Sequence, residues 1–297
     1  MNIDQLDFSS NKSVFDADGQ ELKLLALGDK LLPCFGEGNF TKVKDIEIRD
    51  DDVVLVGYPK TGCHWTWEVL NLMLNQHSDL TALSKLAGFL EVASGEFMAR
   101  TPGPRVLNSH LWFNSLPRQV AEKKTKLILT VRNPKDTAVS YYNHALSMQW
   151  IHGYKGTFNS WLQLYLDGLG DSVGLEYGSY FDYYLDWDQV IKANPRQPVL
   201  VVYYENMKKD LPREVRRLAK YLGLSLSDNH IDRIARVAEF DAMKQDFVDR
   251  NHISLRHLRK GQVGDWKNWL TVAQSEAIDE EMKKLDGTRF ADQIYVL

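Results

Sequence analysis

The fold follows from one segment, which reads Val53-Val54-Leu55-Val56-Gly57-Tyr58-Pro59-Lys60-Thr61-Gly62-Cys63-His64-Trp65. Its first four residues are aliphatic and predict a short strand that is buried on both faces. A turn bounded by glycines follows, and the apolar positions of residues 65–76 predict a helix that is buried nearly all round. A strand, a tight turn and a helix N-terminus in this order present backbone N–H groups to an anion.

Further strands are predicted on the C-terminal side of this segment. Residues 127–131 and 199–204 are aliphatic runs without strict alternation, and such runs are typical of strands covered on both faces. Residues 105–109 are a weaker candidate for a fourth strand. The lack of alternation favours a parallel sheet over a half-exposed antiparallel one.

Helical patterns lie between the predicted strands. Residues 211–222 form the clearest amphipathic pattern, with Pro212 suited to the first helical turn. Alternating strands and helices predict an α/β fold with ligands at the carboxyl ends of the strands. We therefore expect a single domain over residues 1–297, built on a central, mostly parallel sheet flanked by helices.

The composition excludes several classes of protein. The 297 residues include 40 acidic and 36 basic side chains, a net charge of −4, which disfavours nucleic-acid binding by bulk positive charge. Hydrophobic residues make up 44% and charged residues 26%, proportions that exclude disorder as the main state. The two cysteines, Cys34 and Cys63, are too few for a disulfide framework or a four-cysteine zinc site and fit a reducing compartment.

Signals for export or membrane insertion are not apparent in the sequence. Residues 1–20 are polar and lack a basic region followed by an apolar one. The run at 199–204 is strand-sized and far too short to span a bilayer. The sequence therefore predicts an intracellular protein without a membrane partner.

The turn between Gly57 and Gly62 is a candidate phosphate-binding loop. Lys60 would add a positive charge to the N–H groups of the helix that follows. The Walker A pattern is not met, because the lysine precedes Gly62 instead of following a glycine. An ordinary strand-to-helix turn with a surface lysine explains the spacing equally well.

Two other basic motifs are candidate anion sites. Arg132 ends a predicted strand in the motif Arg132-Asn133-Pro134-Lys135-Asp136, and Ser140 lies about two helical turns further on. A structural ion pair of Arg132 with Asp136 is the alternative. Arg259-Lys260-Gly261 combines two cations with a glycine, and a solvated basic loop is the alternative there.

His110 directly follows the predicted strand 105–109. A histidine at the end of a parallel strand is placed to act as a general base near neutral pH. A purely structural histidine is the alternative.

Taken together, these motifs resemble those of the cytosolic sulfotransferase family. Tyr58-Pro59-Lys60-Thr61-Gly62 with Trp65 is similar to its 5′-phosphosulfate loop. The segment from Arg132 to Ser140-Tyr141-Tyr142 is similar to its 3′-phosphate site, and Arg259-Lys260-Gly261 with Gly264-Asp265-Trp266-Lys267 is similar to its C-terminal signature. Three ordered motifs over most of the chain make the resemblance specific.

The resemblance implies a donor, 3′-phosphoadenosine 5′-phosphosulfate (PAPS), and a product, adenosine 3′,5′-bisphosphate (PAP). The implied catalytic residues are His110 as the base, Lys60 and Ser140. The residues implied in nucleotide binding are Lys60, Thr61, Gly62, Cys63, His64 and Trp65 at the 5′-phosphate, Arg132, Ser140, Leu258, Arg259, Lys260 and Gly261 at the 3′-phosphate, and Trp65, Tyr204 and Phe240 at the adenine.

The function implied is transfer of a sulfuryl group to a hydroxyl or amine of a small lipophilic molecule, such as a phenol, a steroid or an alcohol. The alternatives are a non-catalytic PAP-binding protein and another nucleotide-dependent phosphotransferase. No metal is expected, because the cysteines lack ligand spacing and no H-x-x-x-H pair occurs. A cytoplasmic location and a small-molecule partner, without nucleic acid, are expected with this function.

A short dimerisation motif of the family is matched by Lys267, Thr271, Val272 and Glu276. The resemblance therefore implies a homodimer. A plain helix start capped by Thr271 is the alternative.

The chain departs from the family pattern at several positions. Cys63 and His64 stand where two threonines are usual, which predicts weaker donor binding unless His64 or backbone N–H groups substitute. Cys63 near a helix N-terminus is a candidate oxidation-sensitive thiol. Asn108 stands where many relatives have a lysine, which predicts slower chemistry or a compensating lysine elsewhere. Ala238 replaces a threonine near the adenine.

The acceptor pocket is expected beside His110 and should be largely apolar. Core packing explains the same aromatic residues equally well. The candidate walls are Phe35, Phe40, Phe89, Trp112, Tyr141, Met148, Trp150 and Phe247.

Overall fold

The N-terminal part of the chain forms a small antiparallel sheet. In the computed structural model its strands are β1 (Asn11–Phe15), β2 (Glu21–Leu27) and β3 (Lys30–Leu32), in that order. The sequence did not predict this sheet, since its strands are short and mix charged with apolar residues. The structure describes residues 11–27, 30–34, 40, 42–75, 79–80, 85–92, 95–148, 153–166, 174–250, 252, 255 and 258–295.

The central sheet is parallel and has four strands. They are β4 (Val53–Gly57), β5 (Val106–Ser109), β6 (Lys126–Val131) and β7 (Val199–Tyr203). Their order in the sheet is β5-β4-β6-β7, and every pair is parallel. This confirms the predicted α/β class with a central parallel sheet.

Helices cover the parallel sheet on both sides. The described α-helices are α1 (Cys63–Leu74), α2 (Gly95–Arg100), α3 (Arg118–Glu122), α4 (Pro134–Ser147), α5 (Phe158–Leu166), α6 (Tyr180–Ala193), α7 (Tyr204–Lys209), α8 (Leu211–Leu222), α9 (Asp228–Val237), α10 (Phe240–Asp249), α11 (Val272–Met282) and α12 (Ala291–Tyr295).

The sheet separates two hydrophobic cores. Val54 and Val56 of β4 belong to one core, while Val53 and Leu55 belong to the other. Side chains alternate between the faces of a strand, so a run that is apolar at every position fills both cores. The unalternating pattern of β4 is explained by this position in the middle of the sheet.

Strand β7 differs from the prediction that it is buried on both faces. Four of its five residues are only partly buried, and Val202 alone is fully buried. It is the last strand in the sheet order, so one edge lacks a neighbouring strand. The observed strand also ends one residue before the predicted end, because Tyr204 begins α7.

The two helices whose patterns were described from the sequence, residues 65–76 and 211–222, are both present. Helix α8 has the predicted bounds, with a proline in its first turn and Gly223 at its C-cap in the left-handed conformation. Helix α1 begins at Cys63, two residues before the predicted start, and most of its side chains are buried as expected.

The parallel register brings the carboxyl ends of the four strands to one edge of the sheet. Val56 pairs with Ser109, and Gly57 pairs with Thr130. The residues that directly follow the strands therefore lie along that edge: Tyr58, His110, Arg132 and Tyr204.

Candidate active site

The loop between β4 and α1 is shaped by two close approaches of the backbone. A Cβ at Gly57 would lie 2.1 Å from Thr130 Oγ1. Gly62 has φ +100°, and a Cβ there would lie 2.8 Å from the ring of Tyr204. Both positions therefore require glycine, and the loop is held against β6 and α7.

The side chains of Thr61 and Cys63 point into the protein. Thr61 Oγ1 donates to Tyr58 O at 2.7 Å and lies 2.9 Å from Thr130 Oγ1. Cys63 Sγ lies 3.0 Å from the same hydroxyl, and the residue is only 4% exposed. These residues fix the loop through their side chains, and Thr61 N also donates to Tyr58 O at 3.4 Å. The N–H groups that can face an anion are therefore those that follow Thr61. Cys63 is a candidate oxidation-sensitive thiol from its place in the sequence, and its burial disfavours that role, because an oxidant must reach the sulfur.

The first turn of α1 offers a set of free N–H donors. Its first hydrogen bond within the helix runs from Thr66 N to Gly62 O at 3.0 Å. The preceding N–H groups of a helix have no acceptor inside it and carry the positive end of the helix dipole. The backbone from Gly62 to Trp65 is therefore suited to a phosphate, as predicted for this segment.

The ring of His64 packs beside residues of the core that contains Val53 and Leu55 of β4, which is called the second core below. Its Nε2 lies 3.7 Å from Glu68 Oε1, and its ring lies 5.9 Å from that of Phe247 and 6.2 Å from that of Trp67. These neighbours are inside the core, so backbone N–H groups, rather than this side chain, are placed to replace the missing hydroxyl.

Lys60 occupies the middle of the loop with φ +69°. Burial, together with the charges of Arg132 and Lys85, lowers the pKa of Lys60 to about 7. A positive φ outside glycine is strained, and a partly buried cation among other cations is costly. Both features indicate a lysine held for an anionic ligand.

Arg132 joins two loops at the end of β6. Its Nη1 donates to Lys60 O at 3.4 Å, and its Nη2 donates to Gln262 O at 3.1 Å. Its guanidinium lies 4.2 Å from the ring centre of Tyr204. The buried Nε has no hydrogen-bond partner among the described residues. The alternative in which Arg132 pairs with Asp136 is therefore wrong.

Asp136 instead anchors the C-terminal segment. Its carboxylate accepts from Gly264 N at 2.7 Å and from Trp266 N at 3.0 Å. Sequence reasoning missed this role, because the partners lie far apart in the chain. Ser140, on the same helix α4, is partly exposed.

Arg259 and Lys260 share one buried carboxylate. Arg259 Nη2 lies 2.6 Å from Asp265 Oδ2, and Lys260 Nζ lies 2.8 Å from Asp265 Oδ1. Burial by itself raises the pKa of Asp265, but hydrogen bonds from Lys260, Arg259 and Asn268 lower it to about 2. The two cations are thus held in place, not mobile on a solvated loop.

Gly261 brings the backbone against an aromatic ring. It has φ +64°, and a Cβ there would lie 2.3 Å from the ring of Phe240. Phe240, Lys260 and Gly261 line a cleft of about 940 Å³. Leu258, just before the two cations, is partly buried against the second core.

The predicted adenine side contains an additional lysine. Lys208 Nζ lies 5.7 Å from the ring centre of Trp65 and 5.5 Å from that of Phe240. Trp65 Nε1 donates to Ala238 O at 2.6 Å, and its ring meets that of Tyr204 edge-on at 5.4 Å. The structure therefore brings together the predicted aromatic residues, and Lys208 could not have been found from a motif.

His110 is oriented by a backbone carbonyl. Its Nδ1 lies 2.7 Å from Gly57 O. A carbonyl only accepts, so Nδ1 carries the proton and Nε2 keeps its lone pair. Burial and the charge of Lys85 outweigh this hydrogen bond and, with Lys60, lower the pKa of His110 to about 3.

Glu91 is hydrogen-bonded to the backbone of His110. Its Oε1 accepts from His110 N at 2.7 Å. Burial raises the pKa of Glu91 to about 7, although hydrogen bonds from the backbone and Ser109 oppose the rise. No sequence pattern identifies this residue, because its role depends on the packing of the segment before α2 against β5.

The acceptor side of His110 is aromatic. The rings of Phe89 and Tyr177 each lie 5.4 Å from the imidazole, and Trp112 lies 6.4 Å from Tyr177. Phe247 was expected here, but it lies in the core on the other face of the sheet.

The remaining predicted wall residues are dispersed. Phe40 and Tyr141 are buried in the same core as Trp112, and Met148 caps the end of α4. Phe35 and Trp150 lie outside the described residues.

The fold and the site together define an α/β group-transfer enzyme that binds a phosphorylated ligand. The Sulfotransferase domain family matches residues 50–289. Sulfotransferase 6B1 of Danio rerio is 36% identical over 257 residues, covering 84% of this chain and 83% of that protein. Sulfotransferase 1B1 of Mus musculus is 31% identical over 271 residues, covering 84% and 88%.

A solved structure is similar over nearly its whole length. The crystal structure of mouse sulfotransferase SULT7A1 complexed with PAP has a TM-score of 0.77 and 29% identity, covering 92% of this chain and 99% of that chain. The chain belongs to the sulfotransferase family and is an enzyme, a sulfotransferase.

Neither a cluster of metal ligands nor a membrane-spanning helix is present among the described residues. No group of three or more His, Cys, Asp or Glu side chains in that part of the chain could hold a metal ion. Among the same residues, no helix is long and apolar enough to cross a membrane.

Proposed function

We propose that this sulfotransferase transfers the sulfuryl group of PAPS to a hydroxyl or amine of a small lipophilic acceptor. One observation carries the proposal: the guanidinium of Arg132 bonds both Lys60 O and Gln262 O. A ligand with two separate phosphate groups suits this arrangement, because the loop of Lys60 and the segment of Arg259 and Lys260 flank a single arginine.

The residues fit such a nucleotide. The unpartnered buried Nε of Arg132 needs an acceptor, which a 3′-phosphate provides together with Ser140, Arg259 and Lys260. Lys60 and the N–H groups of α1 bind the 5′-phosphate. The rings of Trp65 and Phe240 flank the adenine, with Tyr204 close to it.

In the reaction, PAPS supplies a sulfuryl group bonded to a phosphate that becomes the leaving group. His110 Nε2 takes the proton from the acceptor hydroxyl as its oxygen attacks sulfur in line. Gly57 O holds the tautomer that leaves Nε2 free. Lys60 stabilises the charge that develops on the departing phosphate.

The low pKa of His110 in the free enzyme, about 3, keeps the imidazole neutral and able to accept a proton. Binding an anionic donor beside it raises this pKa, because nearby negative charge favours the imidazolium. The base therefore becomes stronger only when the donor is in place.

Transfer of radiolabelled sulfate from PAPS to a panel of phenols, sterols, catecholamines and aliphatic alcohols tests the proposal. The variant His110→Ala is expected to lose at least about 100-fold in turnover while it still binds PAP. His230→Ala, on α9, is the matched control and should keep wild-type turnover. The proposal fails if no acceptor is sulfated, or if His110→Ala is as active as the control.

The two alternative functions predict other results. A phosphotransferase would bind ATP as well as PAP, and a non-catalytic protein would bind PAP without sulfating any acceptor. Retention on immobilised PAP but not on ATP, followed by transfer, distinguishes all three.

We also propose a homodimer in which Lys267, Thr271, Val272 and Glu276 form the contact. All four are exposed, and Val272 is 76% exposed, so the four side chains are open to contact with a second copy of the chain. Thr271 also caps α11 in a capping box with Gln274, so the motif has a local role as well.

A cytoplasmic location and one sulfotransferase domain over residues 1–297 complete the proposal. The two cysteines fit a reducing compartment. The family match over residues 50–289 and the two cores that share one sheet support a single domain.

A further inference from the structure

A short 3₁₀ helix, Lys85–Gly88, packs against the strand that leads to His110. Asn108 Nδ2 donates to Lys85 O at 3.1 Å, and Phe89 forms a parallel bridge with Asn108. A Cβ at Gly88 would lie 2.7 Å from Val106 O. This close packing fixes where the segment, and Lys85 with it, lies relative to β5.

Lys85 extends toward the reacting groups. Its Nζ lies 5.5 Å from the ring centre of Phe89, and that ring lies 5.4 Å from the imidazole of His110. The charge of Lys85 also lowers the pKa values of both His110 and Lys60. Lys85 therefore lies on the side of the site where the general base and the leaving phosphate meet.

Lys85 forms no salt bridge with any carboxylate in the described parts of the chain. Burial lowers its pKa, although the charge of Glu91 opposes the decrease. Lys85 is partly buried, and an ammonium held partly out of water without a directly paired carboxylate is costly. Such a group is expected where a substrate supplies the negative charge.

We propose that Lys85 is a further catalytic residue, whose ammonium binds an oxygen of the sulfuryl group during its transfer. The inference rests on the proposed function. The acceptor oxygen forms a bond to sulfur, the bond from sulfur to the phosphate oxygen breaks, and the electron pair stays on that oxygen beside Lys60. The acceptor proton goes to His110, while Lys85 offsets charge on the sulfuryl oxygens.

The assignment also accounts for Asn108. This residue stands where the family resemblance implies a lysine, and its amide holds the carbonyl of Lys85. A cation that usually comes from β5 is thus supplied here from the adjacent 3₁₀ helix, and Asn108 positions it.

The test compares Lys85→Met with Lys220→Met, a matched change of an exposed lysine on α8. We expect Lys85→Met to lower kcat by about 100-fold and to leave the Kd for PAP within about twofold, because PAP has no sulfuryl group. Lys85→Arg, which keeps the charge, should retain most of the turnover. Lys220→Met should match the wild type in both measurements.

A second comparison guards against a folding defect. In Lys85→Met/Asn108→Lys the cation is moved to β5, and at least about tenfold of the lost turnover should return. The inference is overturned if Lys85→Met keeps turnover within about threefold of wild type, or if its Kd for PAP rises as much as kcat falls. An inactive wild type would overturn the proposed function itself, which distinguishes the two failures.

Discussion

At the scale of single residues, the charge of Lys60 makes the electrostatics of the donor site depend on pH. Its free-enzyme pKa of about 7 means that it is about half charged at neutral pH and loses its charge as the pH rises. A bound phosphate favours the charged form and raises the pKa. Donor binding above pH 7 must therefore take up a proton, and affinity must fall as the pH rises.

We predict that PAP binding takes up about one proton at pH 8 and almost none at pH 6. Isothermal titration in buffers of different ionisation enthalpy measures this number. Lys60→Met should remove the uptake at pH 8, which separates Lys60 from Glu91 and His110. Equal uptake at both pH values would contradict the prediction.

Gly62 is predicted to be irreplaceable for two reasons. Gly62→Ala combines a φ of +100° with a Cβ 2.8 Å from Tyr204, so it should lower the free energy of unfolding by about 2–4 kcal/mol. Gly19→Ala has φ +75° but nothing within 4 Å, and about 1 kcal/mol is expected. Urea unfolding measures both. Equal losses would show that the ring contact with Tyr204 costs nothing.

Sequence reasoning found the cations of the site but not their supports. Lys60, Arg132, Arg259 and Lys260 belong to short motifs, which a sequence displays directly. The roles of Glu91, Asp136 and Lys85 depend on which elements pack together. That information is distributed over the whole chain, so local patterns could not reveal it.

At the scale of elements, the site depends on docking the C-terminal segment against α4. Asp136, in the first turn of α4, accepts two N–H groups of that segment. Its carboxylate thus fixes the segment that carries Arg259 and Lys260. Asp136 therefore joins α4 to a segment about 130 residues further along the chain.

We predict that Asp136→Asn raises the Kd for PAP by about tenfold, because hydrogen bonds to a charged group contribute about 1.5–3 kcal/mol. Asp45→Asn is the control: Asp45 pairs with Arg118 of α3, the two side chains are 70% and 54% exposed, and exposed pairs contribute little. Fluorescence titration with PAP measures both. Similar affinities for the two variants would exclude the anchoring role.

The elements themselves were predicted unequally. Strands β4 and β6 and helix α8 were found because their patterns match one clear period. The sheet of β1–β3 was missed, because short strands with exposed charged positions resemble loops. Strand β7 was found, but its burial was overestimated, because position at an edge is a property of the sheet and not of the strand.

At the scale of the whole molecule, a mildly acidic chain collects its positive charge at one edge of the sheet. The net charge is −4, yet Arg132 at the end of β6 contacts both the loop of Lys60 after β4 and the C-terminal segment at Gln262. Total charge therefore indicated little about the ligand. The basic side chains at the carboxyl ends of the parallel strands indicate the anionic ligand instead.

We predict that Val272→Glu converts the proposed dimer to a monomer, because an added charge at an apolar contact must be desolvated. Ala273→Glu, at the next exposed position of α11, should leave the assembly unchanged. Sedimentation equilibrium measures both masses. A wild-type monomer, or a dimer that survives Val272→Glu, would contradict the proposed contact.

The carboxylate of Asp265 gives the enzyme an internal counter-ion. Because Arg259 and Lys260 are already neutralised in part within the protein, they attract fewer salt anions from solution. Nucleotide binding then displaces few ions, so its affinity should depend weakly on salt concentration. A cell could vary its ionic strength with little effect on how well the donor site is filled.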